Sequence, residues 1–211
     1  MNSLASPQRI YDISRPVSRA LAGWPGDTPY HFEMLCRLKE GAAVNLGTIA
    51  MSPHTGTHID APYHYDDAGK TVGQLNLETY IGAAVVVGVE GRQVITREDI
   101  GAERLRVPRL LLRTNGWTDD TRFPEGIPVL AADVPEWLHS QGVELLGVDV
   151  PSVDPIDSKD LPVHHALGAY KIAILEGLDL RAVPDGFYEL IALPLRLEGA
   201  DGCPVRAILR C

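Results

Sequence analysis

Residues 52–65 read SPHTGTHIDAPYHY, and three of the chain's seven histidines, His54, His58 and His64, fall in the eleven positions from 54 to 64. An even spread over 211 residues would place roughly a third of one histidine in such a window. Asp60 lies among them. Three neutral imidazoles and a carboxylate form a borderline-soft donor set that suits Zn²⁺, with Mn²⁺ or Fe²⁺ as rivals. A polar loop with capping or surface residues would account for one histidine here, but not for the cluster. His54 and His58 are four apart and would share a helix face. A helix is disfavoured, because Pro53 and Pro62 bracket the segment, Gly56 interrupts it, and Thr55, Thr57 and Ile59 are β-branched. An extended chain alternates its side chains, so the even-numbered His54, His58, Asp60 and His64 would face one side, with Pro62 bending the chain before His64.

A catalytic metal needs about three protein ligands and an open position. A carboxylate can bridge two ions, and a second ion needs donors from elsewhere. Two stretches offer them: SVDPIDSKDLPVHHAL (152–167), with the neighbouring pair His164 and His165, and IAILEGL (172–178), where Glu176 interrupts an apolar strand end.

Strand signals dominate the elements that must carry these groups. Short β-rich runs occur at 31–38, 43–51, 83–89, 109–114, 143–149, 171–177, 188–197 and 204–210. Helical patterns are fewer: 96–105 opens on a threonine with acids in its first turn, 131–142 has Pro135 near its start and a terminal glycine, and 161–170 has Pro162 near its start. Continuous apolar runs such as AAVVVGV imply strands covered on both faces. We find no repeat or linker, so residues 1–211 read as one domain of α/β or α+β class around a central mixed sheet.

Composition narrows the possible partners. Hydrophobic residues make up 45% and charged residues 22%, as in globular proteins generally, and the net charge of −9 with no basic run argues against nucleic acid and against an anionic membrane surface. The longest apolar runs are strand-sized, far below the roughly 20 residues of a membrane span. The N-terminus has no apolar leader core, and Cys36, Cys203 and Cys211 form neither a disulfide framework nor a CxxC site, so a cytoplasmic protein with reduced thiols is expected. Other conspicuous residues receive plain readings. His31 and His139 should face solvent, Trp137 the core, and Trp117 should pack in a loop or line the pocket. The series Asp149, Asp154, Asp157 and Asp160 lacks EF-hand spacing and reads as a loop of Asx-turns. Lys159 either pairs with a nearby acid or reaches a substrate carboxylate.

The string HTGTHIDAPYH resembles the HxGTHxDxPxH signature of the cyclase-like metal-dependent hydrolases. Within them the chain is similar to the bacterial kynurenine formamidases, or arylformamidases, along nearly its whole length. The supporting stretches are YDISRPV (11–17), WPGDTPY (24–30), 152–167, ILEGLDLRAVPDGFYELIALPLRL (174–197) and ADGCPVRAILR (200–210). The resemblance implies a compact α/β domain around a mixed, barrel-like β-sheet with flanking helices, assembled as a homodimer. It implies two zinc ions per subunit: His54, His58 and Asp60 on one, Asp60 and His164 on the other, and Glu176 bridging both. His165 is the alternative to His164, which stands at the family's twelve-residue distance from Glu176. His64 would be the proton donor and acceptor, and Trp24 would contact substrate. The implied reaction is hydrolysis of N-formyl-L-kynurenine to L-kynurenine and formate, a step of tryptophan breakdown. A sister hydrolase opening a cyclic amide such as isatin, with manganese as an alternative metal, is one rival reading. A metal-stabilised binding protein without turnover is another; an open metal position, with His64 facing the ions from beyond bonding distance, would speak against it.

Overall fold

The computed structural model describes residues 9–211; residues 1–8, part of the N-terminal stretch read above for a leader, lie outside the described residues. Strands follow in the order β1 (Ile10–Asp12), β2 (His31–Cys36), β3 (Leu46–Ala50), β4 (His58–Asp60), β5 (Ile81–Gly88), β6 (Val94–Ile95), β7 (Arg109–Arg113), β8 (Val129–Leu130), β9 (Leu145–Val148), β10 (Ala173–Glu176), β11 (Gly186–Ile191), β12 (Gly202–Pro204) and β13 (Ile208–Arg210). Three helices accompany them: α1 (Arg97–Ile100), α2 (Val134–Ser140) and α3 (Pro162–Ala169).

Nine strands form one mixed sheet in the order β1-β13-β11-β5-β7-β9-β10-β4-β12. Its centre, β5-β7-β9-β10, is parallel, and every other neighbouring pair is antiparallel. The sheet curls, and the chain leaving β1 spans the gap, with Ser14 bridging to Leu178 and the Ile13 amide donating to the Ala207 carbonyl at 3.0 Å. Alternation in the parallel strands explains their unbroken apolar sequences. Leu110 and Leu112 of β7 join Val85, Val87, Leu146 and Ile174 against Leu138 of α2 and Leu167 of α3. Leu111 faces the other way and packs with Ala84, Val86, Leu145 and Leu175 against Ile59, Leu190 and Leu209. Both faces are covered, so no polar alternation is required.

Several expected elements are shorter than their patterns. The 96–105 helix stops at Ile100, because Gly101 takes φ +78° and only a 3₁₀ turn follows. The 188–197 run pairs only to Ile191. The 204–210 run divides into β12 and β13, and between them the Val205 amide donates to the Thr57 carbonyl at 2.9 Å. Among the described residues, no helix is long and apolar enough to cross a membrane.

Candidate metal centre

The segment that opened the sequence analysis is only partly extended. His58–Asp60 form β4, flanked by β10 and β12, with His58 opposite Glu176 and Asp60 opposite Gly202. Residues directly opposite in an antiparallel pair share a face, so β4 delivers His58, Asp60 and Glu176 to one side. His54 and His64 arrive by turns instead. The Thr55 amide closes a turn onto Ser52, and Pro62–His64 form a 3₁₀ turn. Two glycines make the close approaches possible. Gly177, at φ +65°, lies where a Cβ would come 2.1 Å from the Gly56 carbonyl oxygen, and at Gly202 a Cβ would come 2.6 Å from Cε1 of His54.

Asp60 sits at the centre, 3% exposed. Its Oδ1 lies 3.0 Å from His54 Nδ1 and 3.4 Å from His58 Nε2, and its Oδ2 lies 3.3 Å from His164 Nε2. Glu176 divides in the same way, with Oε2 3.5 Å from His58 Nε2 and Oε1 3.6 Å from His164 Nε2. The Val153 amide donates to Glu176 Oε1 at 2.8 Å. Neither Asp60 oxygen has a hydrogen-bond partner, although both are buried.

The far nitrogen of each imidazole is engaged. His58 Nδ1 donates to the Gly56 carbonyl at 3.0 Å, His164 Nδ1 to Asp154 Oδ2 at 2.7 Å, and His54 Nε2 to Asp201 Oδ2 at 3.0 Å. A carbonyl or carboxylate oxygen can only accept, so each neutral ring turns its lone pair toward Asp60. Lone pairs facing an unpartnered carboxylate select for positive charge between them. The pKa values follow the same logic. Burial opposes the charged form of His58 and His164, yet Asp60 with Glu176, and for His164 also Asp154, push both up to about 10. Asp60 is held well below the usual carboxylate range by the three imidazoles against its own burial, whereas burial and the charge of Asp60 raise Glu176. Carboxylates shared between two imidazole groups, three aimed lone pairs and two orphaned oxygens fit divalent cations bound by mixed N/O ligands.

His164, not His165, enters the cluster; His165 is exposed and lies edge-on to Tyr65. His64 stands on the solvent side, its ring 4.1 Å from that of His54 and 5.9 Å from that of His164. Burial lowers its pKa from the ordinary value. These groups line a cleft of about 370 Å³ whose outer wall holds Trp24, Trp117 and Phe123. Trp24 meets Phe123 edge-on at 5.2 Å. A larger cavity of about 560 Å³ reaches the cluster only at Asp60, so the smaller cleft is the route to the metal ligands. The cleft opens at the carboxyl ends of the parallel strands, where open α/β sheets bind ligands. Buried Arg15 ties the loops there together, donating to the carbonyls of Trp117 (2.9 Å), Asp149 (2.8 Å) and Gly177 (3.1 Å) while stacking on Trp117.

Two aspartates expected to serve only Asx-turns, and two residues with no expected role, support this centre. Asp154 accepts from the amides of Val163 and His164 at 2.9 and 3.0 Å, capping α3, whose N-cap residue Leu161 has no acceptor. Asp149 is also buried and accepts from the Thr114 and Asn115 amides, so these two are structural acceptors, whereas Asp157 and Asp160 are exposed loop residues. Asp201 and Phe123 had no sequence signal of their own. Lys159 is exposed and does not line the cleft. Trp117 is buried, Trp137 packs on the core, and His31 and His139 are exposed.

Comparison with known proteins gives a consistent picture. The Cyclase family profile matches residues 11–155. A kynurenine formamidase of Bacillus cytotoxicus is 48% identical over 200 residues, 94% of this chain and 96% of its own. A predicted metal-dependent hydrolase of Bacillus stearothermophilus superposes with a TM-score of 0.80 at 26% identity, covering 97% of this chain and 99% of the other. Isatin hydrolase A of Labrenzia aggregata shares the fold, with a TM-score of 0.81 at 23% identity over 96% of this chain and 93% of its own.

Proposed function

The chain belongs to the Cyclase family and, within it, to the kynurenine formamidases, and from that premise we propose that it hydrolyses N-formyl-L-kynurenine to L-kynurenine and formate. The observation that carries this reading is the buried Asp60 carboxylate, whose two orphaned oxygens face imidazole lone pairs on opposite sides. One divalent cation would be held by His54, His58, Asp60 and Glu176, and a second by Asp60, His164 and Glu176. We assign both as zinc, with manganese as the alternative the donor set also admits. Bound there, such ions would supply a water acidified to a pKa of about 7 and an electrophile for the formyl oxygen.

The chain's own residues do the rest. His64 faces the cluster from the cleft and accepts the proton that the attacking water releases. It returns that proton to the aniline nitrogen as the C–N bond breaks, because an anilide anion leaves poorly. Its lowered pKa keeps the imidazole neutral and ready to accept at neutral pH. Trp24 offers its face to the substrate's aromatic ring, with Phe123 bracing it from the side. The cleft volume falls within the range of small-molecule sites. Its opening beside the ligands favours turnover over a closed, purely structural metal site.

We further propose a homodimer in the cytoplasm. The β2–β3 ribbon exposes Phe32, Leu35, Leu46 and Ile49, an apolar surface that a second copy would cover, and all three cysteines are free.

The test is direct. Purified protein should hold about two zinc ions per chain, release formate from N-formylkynurenine, lose activity on chelation and regain it with zinc or manganese. Full activity after exhaustive chelation would refute the metal reading; turnover of isatin with none of N-formylkynurenine would refute the substrate.

A further inference from the structure

One carboxylate oxygen serves two histidines. Asp201 Oδ2 lies 3.0 Å from His54 Nε2 and 3.5 Å from His64 Nδ1, and the two rings stand 4.1 Å apart. We propose that Asp201 is the positioning residue for the proton carrier: through this shared oxygen it fixes the tautomer of His64 while orienting the metal ligand His54.

The backbone fixes its place. Asp201 precedes β12, whose Gly202 pairs with Asp60. Its carbonyl accepts the Ala61 amide at 2.9 Å, and the Ala200 carbonyl accepts the Val72 amide at 2.9 Å. The carboxylate is thus carried on the ladder that holds His58 and Asp60. A carboxylate oxygen accepts only, so His54 Nε2 donates to it at 3.0 Å, and the 3.5 Å ion-pair contact with His64 Nδ1 favours a proton on that nitrogen. For His54 this leaves the Nδ1 lone pair aimed at Asp60 Oδ1. For His64 it places the proton on Nδ1 and leaves Nε2 free to take another. The hydrogen bond at one imidazole nitrogen determines the state of the other. A carboxylate behind a proton-carrying imidazole also steadies the imidazolium that forms in the reaction. Water reaches Asp201, whose side chain is 40% exposed, so its effect should be smaller than that of a buried partner.

This inference rests on the reading of His64 as proton carrier, and the experiment separates the two. Asp201→Ala and Asp201→Asn are made in the wild-type protein and in His64→Ala, and assayed with N-formylkynurenine at zinc concentrations that keep both sites filled, with bound zinc measured directly. Asp201→Ala should lower kcat about ten- to a hundredfold with little change in KM, well short of the loss when a buried carboxylate is neutralised. Asp201→Asn, which keeps an acceptor oxygen but no charge, should fall between. In His64→Ala the same substitutions should cost almost nothing more. Nitrogen-15 NMR of the zinc-loaded protein should show the His64 proton on Nδ1 in the wild type and shifted toward Nε2 in Asp201→Ala. Equal losses in both backgrounds, full recovery with excess zinc, or an unchanged tautomer would overturn the proposal and leave the proton role of His64 standing. A fully active His64→Ala would refute that role, and this inference with it.

Discussion

Replacing Gly202 with alanine should weaken one metal site and spare the other, without altering any ligand. The new Cβ would sit 2.6 Å from Cε1 and 2.9 Å from Nε2 of His54. Carbon atoms pack at about 3.5–4.0 Å, so the ring must retreat by roughly 1 Å. It has little freedom to do so. Asp201 holds Nε2 at 3.0 Å, Asp60 Oδ1 stands 3.0 Å from Nδ1, and the His58 and His64 rings lie 5.0 and 4.1 Å away. Metal–ligand distances tolerate only about 0.2 Å. Disturbing the groups that orient a ligand commonly costs about 10–100-fold in affinity, which is about 1.4–2.8 kcal/mol. The backbone itself should accept alanine, because Gly202 is not among the positive-φ glycines and lies in a regular ladder. Overpacking of this kind adds a fold penalty of about 1–3 kcal/mol.

The assay is a competition titration of the metal-free variant against a chromophoric chelator, with thermal melts alongside. Two binding steps should separate: the site of His54, His58 and Asp60 weakened by the factor above, and the site of His164 and Glu176 close to wild type. Wild-type affinity at both sites would show that the His54 ring is not held where these distances place it. Preferential loss at the His164 site would show that the division of ligands between the ions is wrong.

Other perturbations read different parts of the centre. His64→Ala should keep both ions and lose about 10²–10⁴ in turnover; normal kcat at normal metal content would remove His64 from the mechanism. Trp24→Leu should leave metal content unchanged and weaken substrate binding by about 0.5–1.5 kcal/mol, roughly two- to tenfold in KM; an unchanged KM would place the aromatic ring elsewhere. In chelated protein, His58 and His164 are raised from 6.5 to about 10 by neighbouring carboxylates against their burial. A group with a raised folded pKa stabilises fully below its unfolded value and loses that contribution as pH climbs through the folded one. Melting temperature of the chelated protein should therefore fall between pH 6.5 and about 10, and metal should flatten that slope, because ligated rings carry no proton on Nε2; a flat profile without metal would contradict it.

How much of this centre could be read beforehand depends on where each group takes its orientation. Even-numbered parity is a property of extended backbone, and it holds where the backbone is extended, at His58 and Asp60 in β4. It gathers His54 and His64 for the wrong reason, since a turn at 52–55 and a 3₁₀ turn after Pro62 bring them in. The apolar strands β5, β7, β9 and β10 were legible because both of their faces are covered, which leaves a continuous hydrophobic signal. Strand β1 was not, and β12 only at its last residue, Pro204: three residues carry no measurable period, and such strands pair because distant partners present an edge. Asp154 and Asp201 mark the sharper limit. An aspartate in a polar loop looks the same whether it closes an Asx-turn or accepts from an imidazole of this cluster, because its role belongs to the partner the fold delivers. His164 is spaced from Glu176 by the chain, but its lone pair is aimed by Asp154, ten residues upstream and wholly buried. Membership of the His/Asp/Glu cluster is thus written in residue type and spacing, whereas the direction of each donor atom is set by acceptors that show their purpose only in three dimensions. It follows that substitutions at Asp154 and Asp201, which lie outside the proposed ligand set, should disturb this centre more than their loop settings suggest.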